Sequence, residues 1–169
     1  MSDFLVAALQ LTSTSNVEEN FSAAEEQIEL AARRGAELVG LPENFAFIGD
    51  DQKRLEISSS LAEKCSRFLV TMARRYQVVL LGGGFPVPVE GGNHTLNRAE
   101  LIGRDGQLLA RYDKIHLFDV DLPEGNTYRE SATILSGNQI PPVVDVTGLC
   151  KVGLSICYDV RFPELYRSL

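Results

Sequence analysis

The sequence predicts an α/β fold in which helices cover a sheet whose first strands run parallel. Two observations carry this prediction. Short apolar runs typical of buried strands recur in the first half of the chain, and the segments between them repeat apolar residues every three or four positions. Strands that alternate with amphipathic helices favour parallel pairing. The length of 169 residues fits one domain with a substantial core.

The first strand–helix unit begins near the N-terminus. Residues 4–11 are apolar almost throughout, so we expect a strand that is buried on both faces. Asn16 then caps a helix, with Glu19 in the capping-box position, and Gly35 ends it. Residues 37–41 form the next predicted strand. The helix carries one apolar stripe, which consists of Val17, Phe21, Ala24, Ile28 and Ala31.

The second unit repeats this pattern. Ser60 and Glu63 form another predicted capping pair at the start of a helix. Residues 77–81 form a strand that leads into the triple glycine 82–84. The helix between them carries a second apolar stripe, made of Leu61, Cys65, Phe68, Met72 and Tyr76.

The second half of the chain changes to an antiparallel pattern. Residues 94–102 and 107–115 alternate like paired strands on either side of an Arg-Asp-Gly turn. A long loop over residues 119–137 is rich in Pro, Gly, Asp and Glu, and loops of that length are usually functional. Two short strands, 143–146 and 151–156, close the pattern.

Composition excludes several classes of partner. The net charge is −7 and the isoelectric point is near 4.9, so we expect neither a nucleic-acid nor a membrane partner. The N-terminus lacks the basic region of a signal peptide. The three cysteines show no metal-ligand spacing, and their odd number favours reduced thiols and a cytoplasmic location.

Cys157 is the first candidate for chemistry. It follows a short apolar strand and precedes Pro163, a favourable first residue for a helix. A thiol on such a turn projects from the strand, and the positive end of the helix is expected to lower its pKa. The backbone N–H of Tyr158 is placed to receive an oxyanion. The alternative is a small buried hydrophobe, which is the better interpretation for Cys65 and Cys150.

Glu43 and Lys114 are the candidate base and cation. Glu43 ends the second strand, where catalytic groups of open α/β sheets collect, although most such acids are simply solvated. Lys114 lies in a predicted strand between apolar neighbours, so it needs a carboxylate partner, or else it protects a sheet edge. Glu130, in the long loop, is placed to reach back to Lys114. His116 shares the face of Lys114 and is a rival base for a Cys–His dyad.

Three segments together resemble the nitrilase superfamily of carbon–nitrogen hydrolases. They are Leu-Pro-Glu-Asn-Phe (41–45), Lys-Ile-His-Leu-Phe-Asp-Val-Asp-Leu-Pro (114–123) and Gly-Leu-Ser-Ile-Cys-Tyr-Asp-Val-Arg-Phe-Pro-Glu-Leu (153–165). Their order and separation are those of the family, and the resemblance covers residues 4–169. It is strongest to the Nit branch, whose members hydrolyse small ω-amides. Within that branch, residues 41–48 are most similar to the deaminated-glutathione amidases.

The resemblance implies a fold and a set of roles. Cys157 is the expected nucleophile, Glu43 the general base, Lys114 the stabiliser of the oxyanion and Glu130 the second, supporting glutamate. The resemblance implies neither a metal nor an organic cofactor. The family fold is an α-β-β-α sandwich that forms homodimers through helices near the nucleophile. Family domains are longer, so residues 1–169 are expected to be a C-terminally incomplete carbon–nitrogen hydrolase domain, about the first 60% of it.

The expected function is hydrolysis of a small-molecule amide, with release of ammonia through a Cys thioester. Nitrile hydrolysis or ω-amidase activity by the same three residues is the nearest alternative. A Cys–His hydrolase that uses His116 is another. From a different class, the chain could be a non-catalytic binding or scaffold protein on this fold.

Overall fold

A five-stranded mixed sheet forms the centre of the molecule. The computed structural model describes residues 3–123 and 125–169. The sheet has the order β1-β2-β3-β4-β5, in which β1 to β3 are parallel and β3 to β5 are antiparallel. Its strands are β1 (Leu5–Ala8), β2 (Ala36–Gly40), β3 (Val79–Pro88), β4 (Thr95–Ile102) and β5 (Leu108–Asp113).

Two helices cover one face of this sheet, α1 (Val17–Arg33) and α2 (Asp51–Tyr76). Asn16 caps α1 by accepting the Glu19 N–H at 3.3 Å, as predicted. The core beneath the helices centres on Phe45, which is fully buried and lies against the rings of three other phenylalanines, Phe21, Phe68 and Phe85. This aromatic cluster fixes the chain directly after Glu43.

A second sheet layer covers the opposite face. It is the antiparallel hairpin of β8 (Val143–Val146) and β9 (Cys150–Gly153), and the buried Leu154 and Ile156 that follow it join the same core. Layers of helix, sheet and sheet therefore succeed one another. This arrangement confirms the α/β class and supplies three consecutive layers of the expected α-β-β-α sandwich.

The remaining elements lie around the edge where the strands of the sheet end. They are β6 (Asp119–Asp121), β7 (Thr127–Arg129), 3-10 turns at Glu130–Ala132 and Cys157–Arg161, and α3 (Pro163–Ser168). The strand pair β6–β7 replaces part of the predicted loop over 119–137. Among the described residues, no helix is long and apolar enough to cross a membrane.

Several predicted boundaries were wrong. Ser60 and Glu63 do not cap α2, because Asp50 caps it ten residues earlier by accepting the Lys53 N–H at 3.0 Å. The prediction relied on the apolar stripe and therefore missed the polar first turns of α2. One residue of these turns, Ser58, is nonetheless buried. The triple glycine lies inside β3 rather than after it, and the strand predicted over 151–156 ends at Gly153.

The first strand is also more exposed than predicted. Leu5 is 49% exposed and Val6 is 50% exposed, so the expectation of burial on both faces was wrong. The reason is position: β1 pairs only with β2 and forms one edge of the sheet. An apolar run alone does not distinguish an edge strand from a central one.

Candidate active site

Glu43 lies just beyond the end of β2, where the chain crosses the glycine-rich part of β3. The Asn44 N–H donates to the Gly84 carbonyl at 2.7 Å, and Asn44 adopts a left-handed φ of 58°. A Cβ atom on Gly83 would lie 2.3 Å from the Pro42 carbonyl oxygen. Glycine is therefore required at position 83 for this close approach, which holds the Glu43 backbone against the sheet.

Lys114 is the most buried member of the predicted site, with 1% of its side chain exposed. It follows the last residue of β5, rather than lying within the strand, and its N–H donates to the Asn97 carbonyl at 2.9 Å. Its Nζ lies 2.8 Å from Glu43 Oε1 and 2.9 Å from Glu130 Oε2. The ammonium therefore bridges two carboxylates that are far apart in the sequence.

Glu130 reaches this position because the hairpin β6–β7 returns the chain to Phe118. Its Oε2 accepts the Phe118 N–H at 2.6 Å, and its Oε1 lies 3.0 Å from Lys114 Nζ. Both of its oxygens are thus fixed by donors. Glu130 orients the lysine, whereas Glu43 contacts the lysine with one oxygen only.

The two carboxylates determine the charge of Lys114. Burial on its own would lower the pKa of this lysine, but the charges and hydrogen bonds of Glu43 and Glu130 outweigh it and raise the pKa. Lys114 is therefore an ammonium throughout the neutral range. With two carboxylates and one ammonium, the cluster carries a net charge of about −1.

Cys157 occupies a sharp elbow between β9 and the 3-10 turn that it begins. Its φ is 45°, in the left-handed region that a residue with a side chain adopts at a cost in free energy. The thiol is exposed, whereas its neighbour Ile156 is buried. The elbow therefore turns the sulfur out of the core and toward the Glu43–Lys114–Glu130 cluster, whose three charges all act on its pKa.

The pKa of Cys157 is raised, so the prediction of a lowered value was wrong. The largest cause is the desolvation of the sulfur by the protein atoms around it, even though Cys157 as a whole residue is exposed. The charge of Glu43 and a hydrogen bond to it act in the same direction, while Lys114 acts in the opposite direction. The helix that was expected to stabilise a thiolate, α3, has only six residues and starts six positions later. The thiol of Cys157 therefore gives up its proton less readily than a free cysteine does.

A fully buried carboxylate, Asp159, holds the elbow in place. Its Oδ2 accepts the Tyr112 hydroxyl at 2.7 Å and the Ile156 N–H at 2.9 Å. Its Oδ1 accepts the His116 N–H at 3.2 Å and lies 2.7 Å from His116 Nδ1. These contacts tie both ends of the Cys157 turn to the segment that carries Lys114.

The ring of His116, the rival candidate for the base, is engaged by other side chains. Its ring lies against Asp159 and stacks on Phe162, with centroids 3.7 Å apart. Tyr158, whose N–H was predicted to receive an oxyanion, is the second residue of the 3-10 turn, where N–H groups are without acceptors inside the turn. Its ring packs edge-on against Phe118.

Three residues of this region were not identified from the sequence. Asn97 contacts Glu43, and Tyr112 and Asp159 support the elbow. The signal for Asn97 was its position two and four residues before Ala99 and Leu101, on the same face of the predicted strand, where a polar side chain requires a buried partner. Within residues 3–123 and 125–169, no group of three or more His, Cys, Asp or Glu side chains is arranged to hold a metal ion.

Comparison with known proteins adds independent information. The chain matches the carbon–nitrogen hydrolase family over residues 5–169. It is 56% identical to the deaminated glutathione amidase of Synechocystis sp., over 100% of this chain and 62% of that protein. The chain thus spans less than two thirds of the length of this relative.

Solved structures agree with this match. The C. elegans NitFhit protein superposes with a TM-score of 0.85 at 36% identity, over 95% of this chain and 39% of that one. A variant of the amidase from Nesterenkonia sp. AN1, which shows Michael addition of acrylamide at its active site cysteine, superposes with a TM-score of 0.82 at 29% identity. That alignment covers 96% of this chain and 61% of the other.

Proposed function

The chain belongs to the carbon–nitrogen hydrolase family, and we propose that the protein, at its full natural length, hydrolyses a small-molecule amide and releases ammonia. One observation carries the proposal: Glu43 and Lys114, paired at 2.8 Å, lie close enough to the Cys157 thiol, at its strained elbow, for both charges to act on it in opposite directions. A base, a cation and a nucleophile are the groups that covalent hydrolysis of an amide needs.

Acylation is the first half of the reaction. Glu43 accepts the proton of Cys157 while Sγ bonds to the amide carbonyl carbon. The ammonium of Lys114 and the N–H of Tyr158 stabilise the oxyanion. As the C–N bond breaks, Glu43 returns its proton to the leaving nitrogen, ammonia departs, and a thioester remains on Cys157.

Deacylation uses the same carboxylate. Glu43 accepts a proton from water as the water oxygen bonds to the thioester carbonyl. The C–S bond then breaks, the carboxylic acid leaves, and the proton held by Glu43 returns to the sulfur. The raised pKa of Cys157 favours this return, since the enzyme regains a thiol and not a thiolate.

We propose an amide of the deaminated-glutathione type as the substrate. The support is the 56% identity to a protein named for that substrate, together with the sequence of residues 41–48. Nitriles and short ω-amides are the alternatives that use the same three side chains. A binding or scaffold protein would not need a cationic bridge between two carboxylates beside a thiol.

Ammonia release from deaminated glutathione, short ω-amides and nitriles distinguishes these substrates. We expect the full-length protein to prefer deaminated glutathione, C157A to be inactive, and C150S to retain wild-type rates because Cys150 lies at the start of β9. Activity of C157A equal to that of C150S would exclude this function. No turnover of any amide, with ordinary thiol reactivity at Cys157, would favour the scaffold alternative.

The location and assembly of the full-length protein belong to the same proposal. We propose that it acts in the cytoplasm, since its three cysteines are all free thiols among the described residues. We also propose that it forms a homodimer, on the resemblance of its sequence to families that do. Light scattering of the purified full-length protein measures the second point, and a mass of one chain would contradict it.

A further inference from the structure

We propose that Asn97 is a positioning residue, which selects the oxygen of Glu43 that accepts the proton of Cys157. Asn97 lies in β4, is 2% exposed, and its Nδ2 donates to Glu43 Oε1 at 2.8 Å. The same nitrogen lies 3.5 Å from Glu130 Oε1. Its carbonyl accepts the Lys114 N–H at 2.9 Å, so Asn97 contacts all three members of the charged cluster.

The two oxygens of Glu43 are not equivalent. Lys114 Nζ and Asn97 Nδ2 both lie 2.8 Å from Oε1. An oxygen that already accepts two donors is a poorer proton acceptor, because protonation would displace one of them. Neither Lys114 nor Asn97 donates a hydrogen bond to Oε2, whereas the thiol of Cys157 lies within hydrogen-bond reach of Glu43. The geometry therefore assigns Oε2 as the atom that faces the thiol and takes its proton.

Gly84 fixes the orientation of the Asn97 amide. A Cβ atom on Gly84 would lie 2.0 Å from Asn97 Oδ1, so a glycine is needed to make room for this oxygen. The reversed amide would direct Oδ1 at two carboxylates and lose the hydrogen bond to Glu43. The NH2 group is therefore directed at Glu43 on electrostatic grounds.

The cost of this arrangement indicates that it serves the reaction. Asn97 Oδ1 is buried, and no described residue donates a hydrogen bond to it. A buried acceptor without a donor destabilises the fold. An apolar residue would avoid that cost at position 97, so the asparagine is explained by what its NH2 group does for Glu43. The inference rests on the proposed function, in which Glu43 is the base.

The test measures alkylation of Cys157 by iodoacetamide as a function of pH, and kcat/KM for amides, in the full-length protein. We expect N97A to reduce both about 10- to 100-fold near pH 7, since a base misplaced by about 1 Å costs that much. Above about pH 10, hydroxide removes the thiol proton without Glu43. There, the alkylation rates of N97A and the wild type should converge.

The variant N97D separates a donor from a packing role. It keeps the shape of the side chain but replaces NH2 with an oxygen that repels Glu43, so we expect it to be slower than N97A at neutral pH. This deficit relative to N97A should shrink on acidification, because the new carboxyl group gains a proton that it can donate to Glu43. A residue that only fills space would give the opposite order. T95V is the matched control, since Thr95 is a buried polar residue two positions away on β4, and its hydroxyl also lacks a partner among the described residues. It should retain wild-type rates, with a melting temperature equal to or above that of the wild type.

The outcomes distinguish the two proposals. Wild-type rates of amide hydrolysis and alkylation in both N97A and N97D would overturn the role of Asn97 and leave the proposed function intact. If the wild type hydrolyses no amide but N97A is still alkylated more slowly than the wild type, the positioning role would be supported and the proposed function contradicted. A fall in melting temperature that matches the loss of rate across both variants would also overturn the positioning role.

Discussion

Two carboxylates, the partly buried Glu43 and the fully buried Asp159, act on Cys157 and its turn, and their surroundings differ. Glu43 shares a cluster with a second carboxylate and an ammonium, and 19% of its side chain remains exposed. Asp159 is fully buried, and a phenol, an imidazole and two backbone N–H groups fill its two oxygens. The charge of the neighbouring ammonium holds Glu43, whereas hydrogen bonds hold Asp159.

The difference separates chemistry from architecture. Asp159 has donors on both oxygens and no exposure, so its contacts hold the strained turn at Cys157 in place. Glu43 has donors on one oxygen and reaches the thiol. Substitutions of Asp159 should therefore act on stability, and substitutions of Glu43 should act on rate.

E43Q should produce the largest effect on rate. The amide cannot accept the proton of a thiol whose pKa is raised, so we expect kcat to fall about 10²- to 10⁴-fold with little change in melting temperature. Steady-state kinetics and thermal unfolding of the same sample measure both quantities. A large loss of stability in E43Q would erase the contrast with Asp159.

K114M should damage both properties. It leaves the partly buried Glu43 and Glu130 close together without the buried cation that bridges them. Removal of one partner from a buried ion pair costs about 3–5 kcal/mol, and the partial exposure of the two acids places this loss toward the lower value. Chemical denaturation should show that loss in the free energy of unfolding. The double variant K114M/E130Q removes one uncompensated charge as well and should recover part of the stability; no recovery would contradict the bridging role.

D159N should act mainly on stability. One oxygen becomes an NH2 group that faces at least one existing donor, so we expect a loss of about 1–3 kcal/mol in the free energy of unfolding. Y112F removes one of these donors. In a double-mutant cycle, the combined loss for D159N/Y112F should be smaller than the sum of the two single losses; strict additivity would show that the contact carries no energy.

H116A should have a smaller effect than either acid variant. Asp159 keeps its contacts with Tyr112 and with the backbone of Ile156, so we expect less than about a tenfold loss of kcat/KM. The comparison with E43Q is the informative one. Equal losses in H116A and E43Q would favour the Cys–His alternative over Glu43 as the base.

The pH dependence of stability should be the smallest effect. The pKa values of Cys157 and Lys114 are both raised by folding, so their contributions are fully present below the unfolded values, about 8.5 and 10.4, and are lost as the pH rises through the folded values. The melting temperature should therefore be constant near neutrality and fall above about pH 9. Burial raises the pKa of Cys65 as well, so this second thiol contributes to the same fall. C157A should therefore reduce the first part of the fall without abolishing it, and an identical profile would contradict the contribution of Cys157.

Local patterns in the sequence predicted much of the fold. The hairpin of β4 and β5 followed from alternation around Arg-Asp-Gly, and the Asn16 cap followed from its spacing to Glu19. The start of α2 did not, because its first turns are polar and Asp50 caps it before the apolar stripe begins. The triple glycine suggested a strand end, whereas close contacts with Pro42 and Asn97 explain it within β3.

The site was predictable only in part, because local sequence patterns do not show which distant segments come into contact. Cys157, Glu43, Lys114 and Glu130 lie in recognisable motifs, but Asn97 and Asp159 act through contacts between distant segments. The direction of the pKa shift of Cys157 could not be predicted from the sequence either. A helix was expected to control it, whereas burial and the nearby Glu43 do so.

Mass spectrometry after a short pulse of substrate measures whether Cys157 carries the acyl intermediate. We expect rapid acid quenching of the full-length protein to capture an acyl group on the peptide that contains Cys157. E43Q should slow the appearance of this group, and D159N should not prevent it in the folded fraction. Continued turnover without any adduct on Cys157, or an acyl group on another residue, would contradict it.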